Sequence, residues 1–137
     1  MPITAATPYL ILGGKAQEAI EFYKSALGAK VQSVQRFGEV MESCPDAIRD
    51  WVMHAALELG DAQIFMSDGG PGEEPKPGGP VNVALNIEGA SLAHASFDAL
   101  SAGGTVIEPL KDAPWGSLFG AVVDRYGISW MFNSTKT

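Results

Sequence analysis

Few side chains in this sequence are equipped for proton-transfer or covalent chemistry, and they stand far apart. There are two histidines, His54 and His94, and one cysteine, Cys44, in 137 residues. His54 lies in the stretch 51–59, where Met53, Ala55, Leu57 and Leu59 alternate with Val52, His54, Ala56 and Glu58. A period of two marks a half-buried strand, which sets His54 and Glu58 together on the face away from Leu57. Imidazole is the side chain best suited to moving protons near neutral pH. His54 is therefore the candidate catalytic residue, as a general base, if a partner within hydrogen-bond reach orients it. Glu58 is not that partner, because four residues along a strand are about 13 Å apart at ~3.3 Å each. The competing reading is a structural His54 held by a hydrogen bond.

The remaining candidates carry less. His94 falls off the apolar stripe of its helix and reads as solvated. Cys44 stands in a polar connection with no histidine beside it and reads as incidental. Asp68 and Asp124 follow strands at Gly-rich or Tyr-Gly turns, where turn-forming carboxylates are the ordinary explanation. The segments 69–72 and 78–80 are rich in Gly and Pro but lack the strand-loop-helix setting and lysine of a phosphate loop. Trp51 and Trp130 read as packing residues. Trp115, in Pro114-Trp115-Gly116, either lids a groove or anchors its loop.

The elements that position these residues come in two copies. Residues 14–31 overlay residues 89–106 with a shift of 75: Phe22 meets Phe97, Gly28 meets Gly103 and Val31 meets Val106. An internal repeat is sought first because missing it misassigns the whole fold. The first copy reads as a strand at 5–12, a helix at 15–27 with a stripe of Ala16, Ala19, Ile20, Tyr23 and Leu27, and a strand at 30–37. A Gly at the C′ position ends each helix. After a polar connection at 38–50 come the strand at 51–59, a Gly60-Asp61 turn and the strand at 62–67. The second copy gives a strand at 81–88 and a helix at 90–102 with a stripe of Leu92, Ala93, Ser96, Phe97 and Leu100. A strand at 105–109, a loop at 110–117 and a closing hairpin at 118–124 and 128–134 complete it. The two terminal hairpins overlay with a shift of 66, so Phe65 meets Met131. Three consecutive strands after each helix argue against a doubly wound parallel sheet.

The expected architecture is α+β: two βαβββ modules in a single domain over 1–137, with mixed and antiparallel sheets curving around a groove. Module one spans about 3–68, a Gly/Pro linker 69–80, and module two about 81–134. The length suits one domain, and 46% hydrophobic content is enough for a core. A formal charge of −7 disfavours nucleic acid and anionic membrane as partners. There is no apolar span of transmembrane length and no signal-peptide layout. A single cysteine fits a reducing compartment, so the expected location is the cytoplasm.

The paired module, with Phe22-Tyr23 and Leu27-Gly28 closing the first helix, resembles the vicinal oxygen chelate superfamily of glyoxalases, bleomycin-resistance proteins and extradiol dioxygenases. Pro8-Tyr9-Leu10, His54-Ala55, Met66-Ser67-Asp68, Trp115-Gly116 with Phe119-Gly120, and Asp124-Arg125-Tyr126-Gly127 followed by Trp130 and Asn133 resemble its PhnB-like branch. The resemblance implies a glyoxalase-like fold and a homodimer, which the open edges of a split sheet also favour. It further implies metal ligands on the first and last strands of each module, at positions that fall here on Thr7, Phe65, Asn82 and Met131. A hydroxyl, a phenyl ring, an amide and a thioether are poor ligands for a divalent cation, so no metal or other cofactor is expected. Alternation puts Leu10, Leu12, Ile64, Met66, Val83, Leu85, Ile87, Trp130 and Phe132 towards the helices. The opposite faces then present Thr7, Tyr9, His54, Phe65, Asn82, Asn86, Met131 and Asn133, with Gln63, Ser67, Ala84 and Ser129 beside them. With Trp115 at its edge, that surface suits a neutral or weakly polar organic ligand. The leading expectation is a small-molecule-binding protein of glyoxalase/bleomycin-resistance type. The alternatives are a metal-dependent lyase, isomerase or dioxygenase, and a metal-free enzyme using His54.

Overall fold

The structure, a computed structural model, describes residues 3–70 and 77–137. The chain forms two compact units, residues 1–75 and 76–137. Of the Gly/Pro segment 69–80, residues 71–76 lie outside the described residues.

In the first unit β1 (Tyr9–Ile11) leads into α1 (Ala16–Leu27), followed by β2 (Lys30–Arg36), a short α2 (Phe37–Val40), β3 (Val52–Leu59) and β4 (Ala62–Ser67). The sheet order is β1-β4-β3-β2; only β1–β4 is parallel. Thus α1 carries the chain from one edge strand to the other across one face. Ala16, Ala19, Ile20 and Tyr23 are buried there with Leu10, Leu12, Leu57, Ile64 and Met66. Leu27, expected on the stripe, is only half-buried at the last helical residue, and Ala26 is buried instead. Gly28 takes φ 70° and returns its N–H to the Lys24 carbonyl, the left-handed ending common at a helix C-terminus.

The second unit repeats the plan: β5 (Val83–Ile87), α3 (Ala90–Ser101), β6 (Thr105–Asp112), β7 (Leu118–Val123) and β8 (Ser129–Ser134). The order is β5-β8-β7-β6, again with one parallel pair, β5–β8. The core holds Ala93, Phe97, Leu100, Val122, Trp130 and Phe132, with Phe97 and Phe132 edge to face at 5.0 Å. The expected α+β pair of βαβββ modules is thus present as two four-stranded mixed sheets.

Several local expectations are corrected. β1 and β5 are shorter than read, and Thr7 and Asn82 precede them; Pro8 has no N–H with which to extend a ladder. Leu92 is 59% exposed, since it lies about 100° around the helix from Ala93. The connection 38–50 is not featureless: besides α2 it contains a 3-10 turn, Asp46–Ile48, and buries Cys44 and Ile48. Cys44 is therefore a packed side chain rather than an open loop thiol. β6 runs on to Asp112, through Pro109, with register breaks at 106/108 and 108/111; an edge strand tolerates both a proline and bulges.

Both sheets attach the start of their helix to the residue after their last strand. Asp68, 2% exposed, accepts N–H bonds from Gly14 and Ala16 at the start of α1 and from Val52 at the start of β3, each at 2.8 Å. In the second unit the Gly89 N–H donates to the Thr135 hydroxyl at 2.8 Å. Asp124 is a turn carboxylate, accepting from Tyr126 and Ile128 N–H, and it also accepts the indole N–H of buried Trp130.

Candidate functional site: the open sheet faces

Register decides which side chains meet on the face of each sheet away from its helix. In the first unit Tyr9 pairs with Phe65 across the parallel β1–β4 ladder, and Ala56 pairs with Phe65 across β3–β4. His54, two residues before Ala56, shares that face. The three rings form a cluster: centroids are 4.9 Å apart for His54–Phe65, 5.6 Å for Tyr9–His54 and 5.9 Å for Tyr9–Phe65, all edge to face. The Tyr9 hydroxyl lies 2.9 Å from Nδ1 of His54. The orienting partner missing from the local sequence is therefore Tyr9, 45 residues away. Glu58 belongs to a different chain of bonds: Gln63 donates to Gln32, and Gln32 donates to Glu58 at 3.2 Å. Tyr9 is 49% exposed, and His54 and Phe65 are half-buried. Thr7 sits just ahead, half-buried, next to Pro8, whose carbonyl accepts the Phe65 N–H.

In the second unit Asn86 pairs with Asn133, and Met131 pairs with both Ala84 and Ala121. Small neighbours on either side leave the Met131 thioether half-buried. Asn82 is exposed before β5. The Ser117 hydroxyl donates to Asn133 Oδ1 at 2.8 Å, and Asn133 Nδ2 donates to Asn86 Oδ1 at 3.4 Å. Trp115, 65% exposed, stands edge to face on Phe119 at 5.6 Å, and Phe119 is the register partner of Asn133. Phe119 was not among the residues expected at the site, although hairpin parity with Asn133 was a signal for it. A cleft of about 450 Å³ opens beside this cluster, between Asn86, Glu88, Ser117, Asn133, Thr135 and Lys136.

The expected residues thus gather as two sets, Thr7, Tyr9, His54 and Phe65 in one unit and Asn82, Asn86, Trp115, Met131 and Asn133 in the other. Ser67 and Ser129, expected on the open faces, are buried at 6% and 7% exposure; Ser67 donates to the Val52 carbonyl and accepts from the Gly69 N–H. His94 is exposed, as its position off the stripe implied.

A divalent cation does not fit the four positions the resemblance assigns to ligands. Phe65 has no donor atom, Met131 offers a soft thioether, and Thr7 and Asn82 are neutral oxygen donors. Among the described residues, no three His, Cys, Asp or Glu side chains come together in a metal-holding group.

The model of the Glyoxalase/Bleomycin resistance protein/Dioxygenase superfamily matches residues 6–132. Protein YjdN of Escherichia coli (strain K12) is 29% identical over 146 residues, covering 99% of this chain and 97% of that protein. The crystal structure of protein PA1353 from Pseudomonas aeruginosa superposes with a TM-score of 0.86 at 32% identity, covering 97% of this chain and 98% of that one. A PhnB protein from Bacillus cereus, described as a putative 3-demethylubiquinone-9 3-methyltransferase, shares the fold with a TM-score of 0.78 at 24% identity, over 96% of this chain and 100% of its own.

Proposed function

This chain belongs to the glyoxalase/bleomycin resistance protein/dioxygenase superfamily, and from that premise we propose that it binds a small organic molecule on its open sheet faces without a metal. The observation that carries the reading is the Tyr9–His54–Phe65 cluster. Three rings with one hydroxyl and one imidazole stand on a sheet face that the helix does not cover. Aromatic faces offer large apolar area, and their polar tips fix orientation. That combination suits a ligand more than it suits solvent. A thermal-shift screen of neutral organic compounds should yield hits, and Phe65→Ala should abolish those that bind at this cluster while leaving the protein folded. A screen with no shift from any compound class would sink the reading. Purified protein incubated with Zn²⁺, Ni²⁺, Mn²⁺ or Fe²⁺ and desalted should retain less than one equivalent; stoichiometric retention with a new activity would favour the metal-dependent alternative instead.

The Tyr9–His54 hydrogen bond supports a second reading, metal-free proton transfer by His54. If Nδ1–H donates to the Tyr9 hydroxyl oxygen, the neutral ring leaves Nε2 unprotonated and the tautomer is fixed, which is how a general base is held ready. Tyr9→Phe keeps the ring and removes that bond. Turnover that falls with both Tyr9→Phe and His54→Ala would support catalysis; binding affected without any detectable turnover would leave the protein a binder.

A further inference from the structure

The cleft in the second unit contains a chain of hydrogen bonds with a direction. Ser117 donates to Asn133 Oδ1, and Asn133 Nδ2 donates to Asn86 Oδ1. A carboxamide has one acceptor oxygen and two N–H donors. The chain therefore takes one lone pair of each amide oxygen. Both N–H groups of Asn86 and one of Asn133 are left without a bond in this chain of hydrogen bonds. A ligand that satisfies these N–H groups must bring acceptor oxygens.

Charge then narrows the class of acceptor. Lys136, on the cleft lining, is 3.5 Å from Asp112 and is balanced by it. Glu88, also on the lining, adds a negative charge, and the whole chain carries −7. Such a site disfavours a carboxylate or phosphate, since like charges repel. The nearby Trp115–Phe119 pair offers aromatic surface next to Asn133, and stacking on exposed rings favours a flat body. We infer that the cleft beside Asn86 and Asn133 takes a neutral, planar carbonyl compound, its oxygen accepting from the two amide Nδ2 groups and its ring lying against Trp115. This rests on the small-molecule-binding reading above and names the ligand chemistry for the second unit.

The test uses three flat bicyclic probes on the full chain: N-methylquinolone, which has a carbonyl and no donor, naphthoate, which is anionic, and naphthylamine, which presents donors and no ring acceptor. Binding is followed by side-chain amide and indole resonances in ¹H–¹⁵N spectra. N-methylquinolone should move the Nδ2 signals of Asn86 and Asn133 and the Trp115 indole signal, and it should bind at least tenfold tighter than either analogue. Asn86→Asp, which exchanges the free donors for a carboxylate of the same shape, should weaken it at least tenfold, with the backbone spectrum otherwise retained. Tighter binding of the carboxylate or amine, or N-methylquinolone shifts confined to residues around Tyr9 and His54, would overturn the inference while leaving a small-molecule binder. No binding by any of the three also overturns it, and the broader screen then decides whether the binding reading stands.

Discussion

Two buried carboxylates behave differently from their surroundings. Asp124 serves its own turn, but Asp68 joins three segments by accepting N–H bonds from Gly14, Ala16 and Val52. Bonds to a charged acceptor contribute more than neutral ones, and removing it strands buried donors. Asp68→Ala should therefore lower unfolding free energy by about 3 kcal/mol, read from the midpoint and slope of urea denaturation. A loss below about 1 kcal/mol would mean that water replaces the carboxylate at all three donors. The same comparison shows what single residues reveal in sequence. A carboxylate beside a Gly-rich turn suggests a local role, and for Asp124 that is what the structure contains. Nothing near Asp68 in the chain announces partners 16, 52 and 54 positions away. The Tyr9–His54 bond was hidden for the same reason: it is a product of two ladders, not of one strand.

Among elements, the strands and helices are set by periodicity, and they were readable. The three-and-four spacing of Ala16, Ala19, Ile20 and Tyr23 requires one buried face, and α1 has one. In 52–59 alternation located the strand, but Val52 and Ala56 are buried on one face and Ala55 and Leu57 on the other, so both faces are partly covered. What periodicity could not supply was order in 38–50, where α2 and the 3-10 turn are too short to show a period. It also missed the end of β6, because that edge strand is exposed nearly throughout and has no buried face to pattern it. Close approach between elements is similarly invisible. A Cβ added at Gly120 on β7 would lie 2.8 Å from the Phe97 ring of α3 and 3.0 Å from Cα of Leu110 on β6. Gly120→Ala should thus destabilise by about 2 kcal/mol, as overpacking generally does, and should shift the Phe97 ring resonances. Little change in stability would show that Phe97 can move aside without loss.

For the whole molecule, the repeat read from Phe22/Phe97 and Phe65/Met131 corresponds to two units with the same strand order and the same single parallel pair. Superfamily membership follows the full length of that repeat. Assembly is a proposal. The edge strands β2 and β6 are largely exposed, with Val31, Val106 and Ile107 turned to solvent, and open edges invite pairing with another copy. We expect a homodimer; multi-angle light scattering at micromolar concentration should give twice the 14.4 kDa chain mass, and a monomer mass would refute it.

The Asp68 attachment also bears on the timing of events in the first unit. The start of α1 is fastened by a residue that follows β4, so the Gly14 and Ala16 N–H groups find their acceptor only when the last strand of the sheet has docked. Helix termini ordinarily fray with small opening energies. The Gly14 and Ala16 amides should instead exchange with solvent as slowly as those of β4, reporting the opening of the sheet and not of the helix. In Asp68→Ala they should exchange early, while the centre of α1 stays protected. During synthesis, a nascent chain ending before residue 68 has every residue of its helix but lacks the carboxylate that takes the Gly14 and Ala16 N–H groups.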